Sequence, residues 1–348
     1  MKHRRTRSIS RNTTYSGHQR HHYYKKKTTK KESTMTRLKN WSISILLAAG
    51  MLWGLQCYSA SCLKFAQVSD VHFFTGETNT TFKLTAESSK LLDDAVDQIN
   101  STPNVSFVMF TGDLIDKAFE KELNAFLPHA EKLNVPWYFT FGNHDTMIGG
   151  YLTPITYMEI VKKHNHNFVY DKPYYSFVPQ KGYKAIVLDT IIRDRLTSNG
   201  RIEKEQLDWL DKEIAASPKD VILIFMHVPI VEPFSSPGHR LLNAQEVENI
   251  LNKYKNPIAV FQGHYHGAMI KQKGNIVYIS SPALVSYPNA FRMITITNTK
   301  NKVTFDIQMK ETRLKNLQKL AKLMVFASSV YTGEEDDQNA IITIKKKR

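Results

Sequence analysis

Asp70-Val71-His72, Gly112-Asp113, Gly142-Asn143-His144-Asp145, His227 and Gly263-His264-Tyr265-His266 follow one another along the chain. Each cluster comes just after a run that reads as a buried strand. Carboxylates, an amide oxygen and imidazoles are the ligand types that hold divalent cations. A single such residue says little: Gly-Asp is a common turn, and a lone His at a strand end is usually structural. The ordered set points to two cations side by side, and to metal-assisted attack of water on a phosphoester.

The spacing within each cluster carries part of the chemistry. Asp70 and His72 are one residue apart, so on an extended backbone both leave the same side and can converge on one ion. The competing reading is a capping Asp and a surface His. Asp113 could bridge two cations through its two oxygens. Asn143 offers a hard amide oxygen. His144 then sits beside the metals without needing to bind them. Asp145 is expected to accept a hydrogen bond from the His144 ring and favour its protonated form, as a general acid requires. An Asx-turn with a capping Asn would explain Asn143 but not the His-Asp pair. His264 and His266 place two imidazoles on either side of Tyr265.

These clusters need rigid elements to position them. Short apolar runs at 65–68, 105–110, 136–141, 185–188, 221–225 and 258–261 predict strands. Helical spacing predicts helices over 86–99, 118–133 and 203–216. Strands separated by such helices indicate an α/β fold, with ligands at the carboxyl ends of the strands. Runs at 276–279, 291–296 and 303–307 predict antiparallel strands finishing a second sheet. Leu314 to Val325 predicts a closing amphipathic helix, and 329–348 a loose charged tail.

The chain has 348 residues and a formal net charge of +15. Residues 1–40 carry 13 Lys or Arg against the single acid Glu32, and Lys345, Lys346, Lys347 and Arg348 add four cations. The rest is therefore close to neutral, and its net charge gives no reason to expect specific nucleic-acid binding. Residues 1–40 have almost nothing apolar to bury and predict a disordered basic tail. Asn40 to Leu63 contains no charged residue. Basic, apolar and then small residues, in that order, predict a signal peptide or membrane anchor over 41–62. The expected location is therefore exported or membrane-anchored, with membrane association through 41–62. Both cysteines, Cys57 and Cys62, fall in this stretch, so the part downstream binds metal without thiolates. The domain expected to do the chemistry is 63–328.

Taken together, the clusters resemble the calcineurin-like metallophosphoesterase superfamily over roughly residues 64–310. The resemblance implies a four-layer αββα sandwich of two mixed β-sheets flanked by helices, with a dimetal site at the carboxyl ends of the strands. It implies that Asp70, His72, Asp113 and His266 hold one ion. Asp113, Asn143, His227 and His264 would hold the other, with Asp113 bridging. His144 would be the acid and Asp145 its orienter. Leu114-Ile115-Asp116 after Asp113 lacks the Arg-Gly run of Ser/Thr protein phosphatases and the Tyr ligand of purple acid phosphatases. The bacterial cyclic-nucleotide phosphodiesterase-like branch is the more similar one, sharing Asp-x-His, Gly-Asn-His-Asp and Gly-His-x-His.

The expected function is hydrolysis of a small phosphoester by a metal-bridging hydroxide, with His144 protonating the leaving oxygen and a phosphodiester as substrate. A phosphomonoesterase of the same fold is the alternative. A non-catalytic module docking through the basic tail is a third reading. Imidazole plus carboxylate suits Mn, Fe or Zn. Arg193, His239 and Arg292 are candidates for phosphate or nucleotide contacts, with surface salt bridges as the competing role.

Overall fold

The computed structural model of the protein describes residues 61–346. Strand β1 (Ser61–Val68) is followed by helix α1 (Ser88–Asn100), β2 (Phe107–Thr111), α2 (Glu120–Ala130) and β3 (Trp137–Thr140). After α3 (Asn143–Thr146) and α4 (Pro154–His164) come β4 (Tyr175–Phe177), β5 (Tyr183–Val187), α5 (Lys204–Ala215) and β6 (Val221–Phe225). Next are α6 (Ala244–Leu251), β7 (Ile258–Gln262), β8 (Met269–Lys273), β9 (Ile276–Ser280), β10 (Ala290–Asn298) and β11 (Lys302–Glu311). The described part closes with α7 (Lys315–Met324), α8 (Ser328–Thr332), α9 (Glu335–Gln338) and β12 (Asn339–Lys345).

The strands form two six-stranded sheets, ordered β12-β11-β10-β1-β2-β3 and β4-β5-β6-β7-β9-β8. β1, β2 and β3 run parallel, as do β5, β6, β7 and β9; the remaining pairings are antiparallel. The expected pair of mixed sheets flanked by helices is therefore present. β2, β6 and β7 are buried along their whole length, as covering both faces of a parallel sheet demands.

Aromatic rings fill the space between the sheets. Phe65 of β1 meets Phe225 edge-on at 5.7 Å and Phe261 at 5.1 Å. Alternation along β2 turns Phe107 to that interface and Phe110 to the outer face, where Phe110 packs on Phe126 of α2 at 5.6 Å. Phe139 of β3 packs on Tyr157 of α4 at 5.4 Å. Each fully buried ring contributes about 1.5–3 kcal/mol. This packing fixes the strand ends that carry the ligand clusters.

Two expectations are corrected. The run at 276–279 pairs parallel to β7, while β10 pairs with β1 and β11 with β10 in the first sheet. Cross-sheet returns of this kind leave no local periodicity to read. The loose tail over 329–348 is instead α8, α9 and β12 through Lys345, with β12 paired to β11 from Lys302↔Lys345 to Gln308↔Asn339. Ile344 is buried there and Ile342 packs on the core, so the strand gains both a ladder and apolar burial. The segment 41–62 ends inside β1, since Ser61 and Cys62 pair with Asn298 and Thr297. The rest of that segment and the basic tail over 1–40 lie outside the described residues. Among the described residues no helix is long and apolar enough to cross a membrane.

Candidate metal centre

The loops after β1, β2, β3, β6 and β7 bring all seven expected ligands to one place. Asp70, His72 and His266 form one group of potential ligand atoms, and Asp113, His227 and His264 a second. Asp113 Oδ2 lies 3.5 Å from His72 Nε2 and 3.4 Å from His227 Nε2, so it touches both groups. Asn143 Oδ1 stands 3.3 Å from His227 Nε2. All seven are at most 7 % exposed.

Backbone geometry marks the same residues. Asp70, His72, Asp113, His264 and His266 all adopt positive φ, between 42° and 72°. Non-glycine residues rarely do so, and clusters of such strain occur at functional sites. Two glycines permit the close approach. A Cβ on Gly142 would fall 2.1 Å from Asp113 Oδ1, and one on Gly112 2.3 Å from His227 Nδ1.

Nitrogen partners decide which atom each ring offers. His227 Nδ1 donates to the Thr111 carbonyl at 2.8 Å, which leaves Nε2 for an ion. His266 Nδ1 meets Ser286 Oγ at 2.9 Å. His72 Nδ1 lies 3.1 Å from Asp116 Oδ1. Outer partners of this kind orient metal-bound imidazoles. His264 turns Nδ1 toward His227 Nε2 at 3.1 Å, and its Nε2 has no hydrogen-bond partner among the described residues.

The donor set fits divalent ions. His72 Nε2 and His266 Nε2 face each other at 3.2 Å. Nitrogens held that close without an ion gain little, whereas bonds of about 2.0–2.2 Å to one cation place ligand atoms about 3.0–3.5 Å apart. Charge agrees with this. Burial pushes Asp113 upward, but the imidazoles of His227 and His144 hold it well below the usual carboxylate range. Burial would raise Asp70 too, yet His266 brings it down to about 2. Burial opposes protonation of His227, while Asp113 drives it up to about 9. Protons and metal therefore compete for one anionic pocket.

His144 is placed as expected but oriented differently. Its backbone N–H donates to Asp113 Oδ1 at 2.8 Å, and its Nδ1 meets the Asp116 carbonyl at 2.6 Å. Nε2 is left as the nitrogen free to act. Burial lowers the His144 pKa, and Asp113 works against that shift. Asp145 does not orient the ring. Its Oδ1 accepts from the backbone N–H groups of Leu114 and Ile115 at 2.8 and 3.2 Å, and Oδ2 from Gly142 at 2.8 Å. It clamps the second ligand loop to the third. Sequence adjacency suggested the His-Asp pair, but neighbouring side chains in a helical turn point apart.

Of the three candidate phosphate contacts, only His239 lines the pocket. Arg193 forks onto Asp189, and Arg292 is fully buried, donating to the carbonyls of Ser280, Asp337 and Gln338. Two groups escaped sequence reading. Asp116 and the buried Lys83, joined at 2.8 Å, support His72 from behind. Phe82, Phe234, Tyr265 and Tyr331 add aromatic walls. Asp116 lies three residues after Asp113, a spacing that could have flagged it; nothing local marked Lys83.

A model of the family described as calcineurin-like phosphoesterase matches residues 63–268. A 3′,5′-cyclic-nucleotide phosphodiesterase of Nostoc is 26% identical over 225 residues, covering 64% of this chain and 78% of that protein. Human tartrate-resistant acid phosphatase type 5 is 26% identical over 267 residues, covering 70% of this chain and 79% of that protein. Among solved structures, a dimetal phosphatase from Danio rerio superposes with a TM-score of 0.59 at 16% identity. The match covers 82% of this chain and 99% of that one, a likeness of fold.

Proposed function

The chain belongs to the calcineurin-like phosphoesterase family and is a dimetal phosphoesterase, and we propose that it acts on phosphodiesters. One observation carries the diester reading. Among the described residues the pocket over the ligands is lined by a single lysine or arginine, Lys83, and Asp116 already neutralises it. Beside two metal ions, a phosphomonoester dianion would still gain from further cations there, whereas a diester brings one negative charge and a second organic group. Phe82, Phe234, Tyr265 and Tyr331 give that group apolar surface. The Nostoc relative named as a phosphodiesterase supports the reading, and the acid phosphatase relative is the competing one.

Two divalent ions, whether Mn, Fe or Zn, would supply an activated water and neutralise charge on the phosphoryl oxygens. Asp70, His72, Asp113, Asn143, His227, His264 and His266 would hold them. Asp113 contributes to both groups and also receives the His144 N–H, so it fixes the acid relative to the ligands. His144 Nε2 delivers a proton to the departing oxygen, and the Asp116 carbonyl keeps Nδ1 as the donor on the far side. Asp145 holds the loops in register. With Mn added, bis(4-nitrophenyl) phosphate should show a higher kcat/KM than 4-nitrophenyl phosphate. A preference for the monoester would replace this reading with a phosphatase.

Export or anchoring through 41–62 remains part of the proposal, supported by the uncharged run from Asn40 to Leu63 behind a basic segment. Fractionation of cells with amino-terminal sequencing of the protein tests it. An intact chain in the cytosol would contradict it.

A further inference from the structure

The near-neutral charge of the folded part conceals a segregation. β1, β2, β3, β6 and β7 all end at the metal centre and β5 runs parallel to β6, so their amino-terminal ends form the opposite pole. Lys181 precedes β5, Lys219 precedes β6 and Lys255 precedes β7. Lys300 caps the β10–β11 turn, Lys302 starts β11 and Lys346 follows β12.

These lysines converge in space. Lys219, Lys255, Lys300 and Lys346 line one surface depression, with Asp220 as its only acid among the described residues. Lys346 donates to Asn298 Oδ1 at 2.5 Å, Asn298 donates to the Gly182 carbonyl at 3.2 Å, and Ser61 Oγ reaches the Lys181 carbonyl at 3.3 Å. Among the described residues none of the six lysines forms an ion pair with a carboxylate, although 15 other Lys or Arg residues pair with acids. Unpaired like charges gathered at one end cost self-repulsion, which an anionic surface relieves.

The chain's path names that surface. β1 starts at Ser61 on this same pole, paired to Asn298. It begins within the end of the uncharged run Asn40–Leu63, and 13 Lys or Arg precede that run. We infer that the basic pole docks on an anionic lipid bilayer, with the metal centre at the far end of the strands. An eight-residue strand such as β1 spans about 26 Å, so the site's mouth stays in water.

Full-length protein is bound to vesicles of phosphatidylcholine, or of equimolar phosphatidylcholine and phosphatidylglycerol. Lysine acetylation rates are then read by mass spectrometry. Each lysine near an anionic surface contributes about fivefold in affinity. Acetylation of Lys219, Lys255, Lys300 and Lys346 should slow about fivefold or more on the anionic vesicles, and high salt should restore it. Lys90 and Lys121, 69 % exposed elsewhere, should react alike on both. Combining Lys219→Glu, Lys255→Glu and Lys300→Glu should abolish the protection of Lys302 and Lys346 while the melting temperature holds. Equal rates on the two vesicle types would overturn the inference. So would protection by a single-stranded oligonucleotide at the same salt without protection by vesicles.

Discussion

Asp113 and His144 are joined by one hydrogen bond of 2.8 Å, yet they have separable jobs. Asp113→Ala removes the carboxylate common to both ligand groups and should abolish metal binding and turnover together. His144→Ala should leave metal content unchanged and slow turnover about 10²-fold, with a larger loss as the leaving group becomes more basic. Metal analysis beside kcat values for a series of aryl diesters checks both. Asp145 separates a clamp from an orienter. Its carboxyl is fully buried, and burial and the nearby Asp113 push it up to about 7. Asp145→Ala leaves three backbone N–H groups without an acceptor, at about 1–3 kcal/mol each. The expected result is a lower melting temperature and weaker metal binding, with the dependence on leaving group unchanged. A steeper dependence would reinstate Asp145 as the partner of His144. The seven candidate ligands were legible as one cluster because each is a distinctive residue type at a strand end. The role of Asp145 was not, because contacts across loops leave no mark in local spacing.

At the scale of elements, the strands that carry ligands were the legible ones. β2, β6 and β7 read as continuous apolar runs because both their faces are covered. Helix α4 was not foreseen: its Ile, Thr, Tyr and Val content obscures helical propensity. Thr153, whose side chain accepts from Thr156 N, with Pro154 at the first turn, was the available signal. The carboxyl-terminal strand was missed because charge dominates its surroundings. Arg292 now has a use there, tying the chain at Asp337 and Gln338 to Ser280 of β9. Arg292→Met should lower stability by about 3 kcal/mol through unsatisfied carbonyls and leave the KM of the folded enzyme unchanged. A raised KM with unaltered melting would mean that Arg292 reaches substrate after all.

At the scale of the molecule, two sheets pressed together by aromatic rings deliver five loops to one end. The stability of that end depends on what it holds. Buried histidines and carboxylates in contact favour the folded state more when ions link them, and a ligand at about a thousand times its Kd adds about 4 kcal/mol per site. Chelation should therefore lower the melting temperature. It should do so much less in Asp113→Ala, which has little metal to lose. In the function proposed above, two ions in this site carry hydrolysis of a phosphodiester. Its most direct test is titration of the chelator-treated protein with Mn while following bis(4-nitrophenyl) phosphate. Activity should rise from near zero and saturate when two ions are bound per chain. Full turnover in the presence of chelator, or saturation with no metal bound, would rule out a dimetal phosphodiesterase.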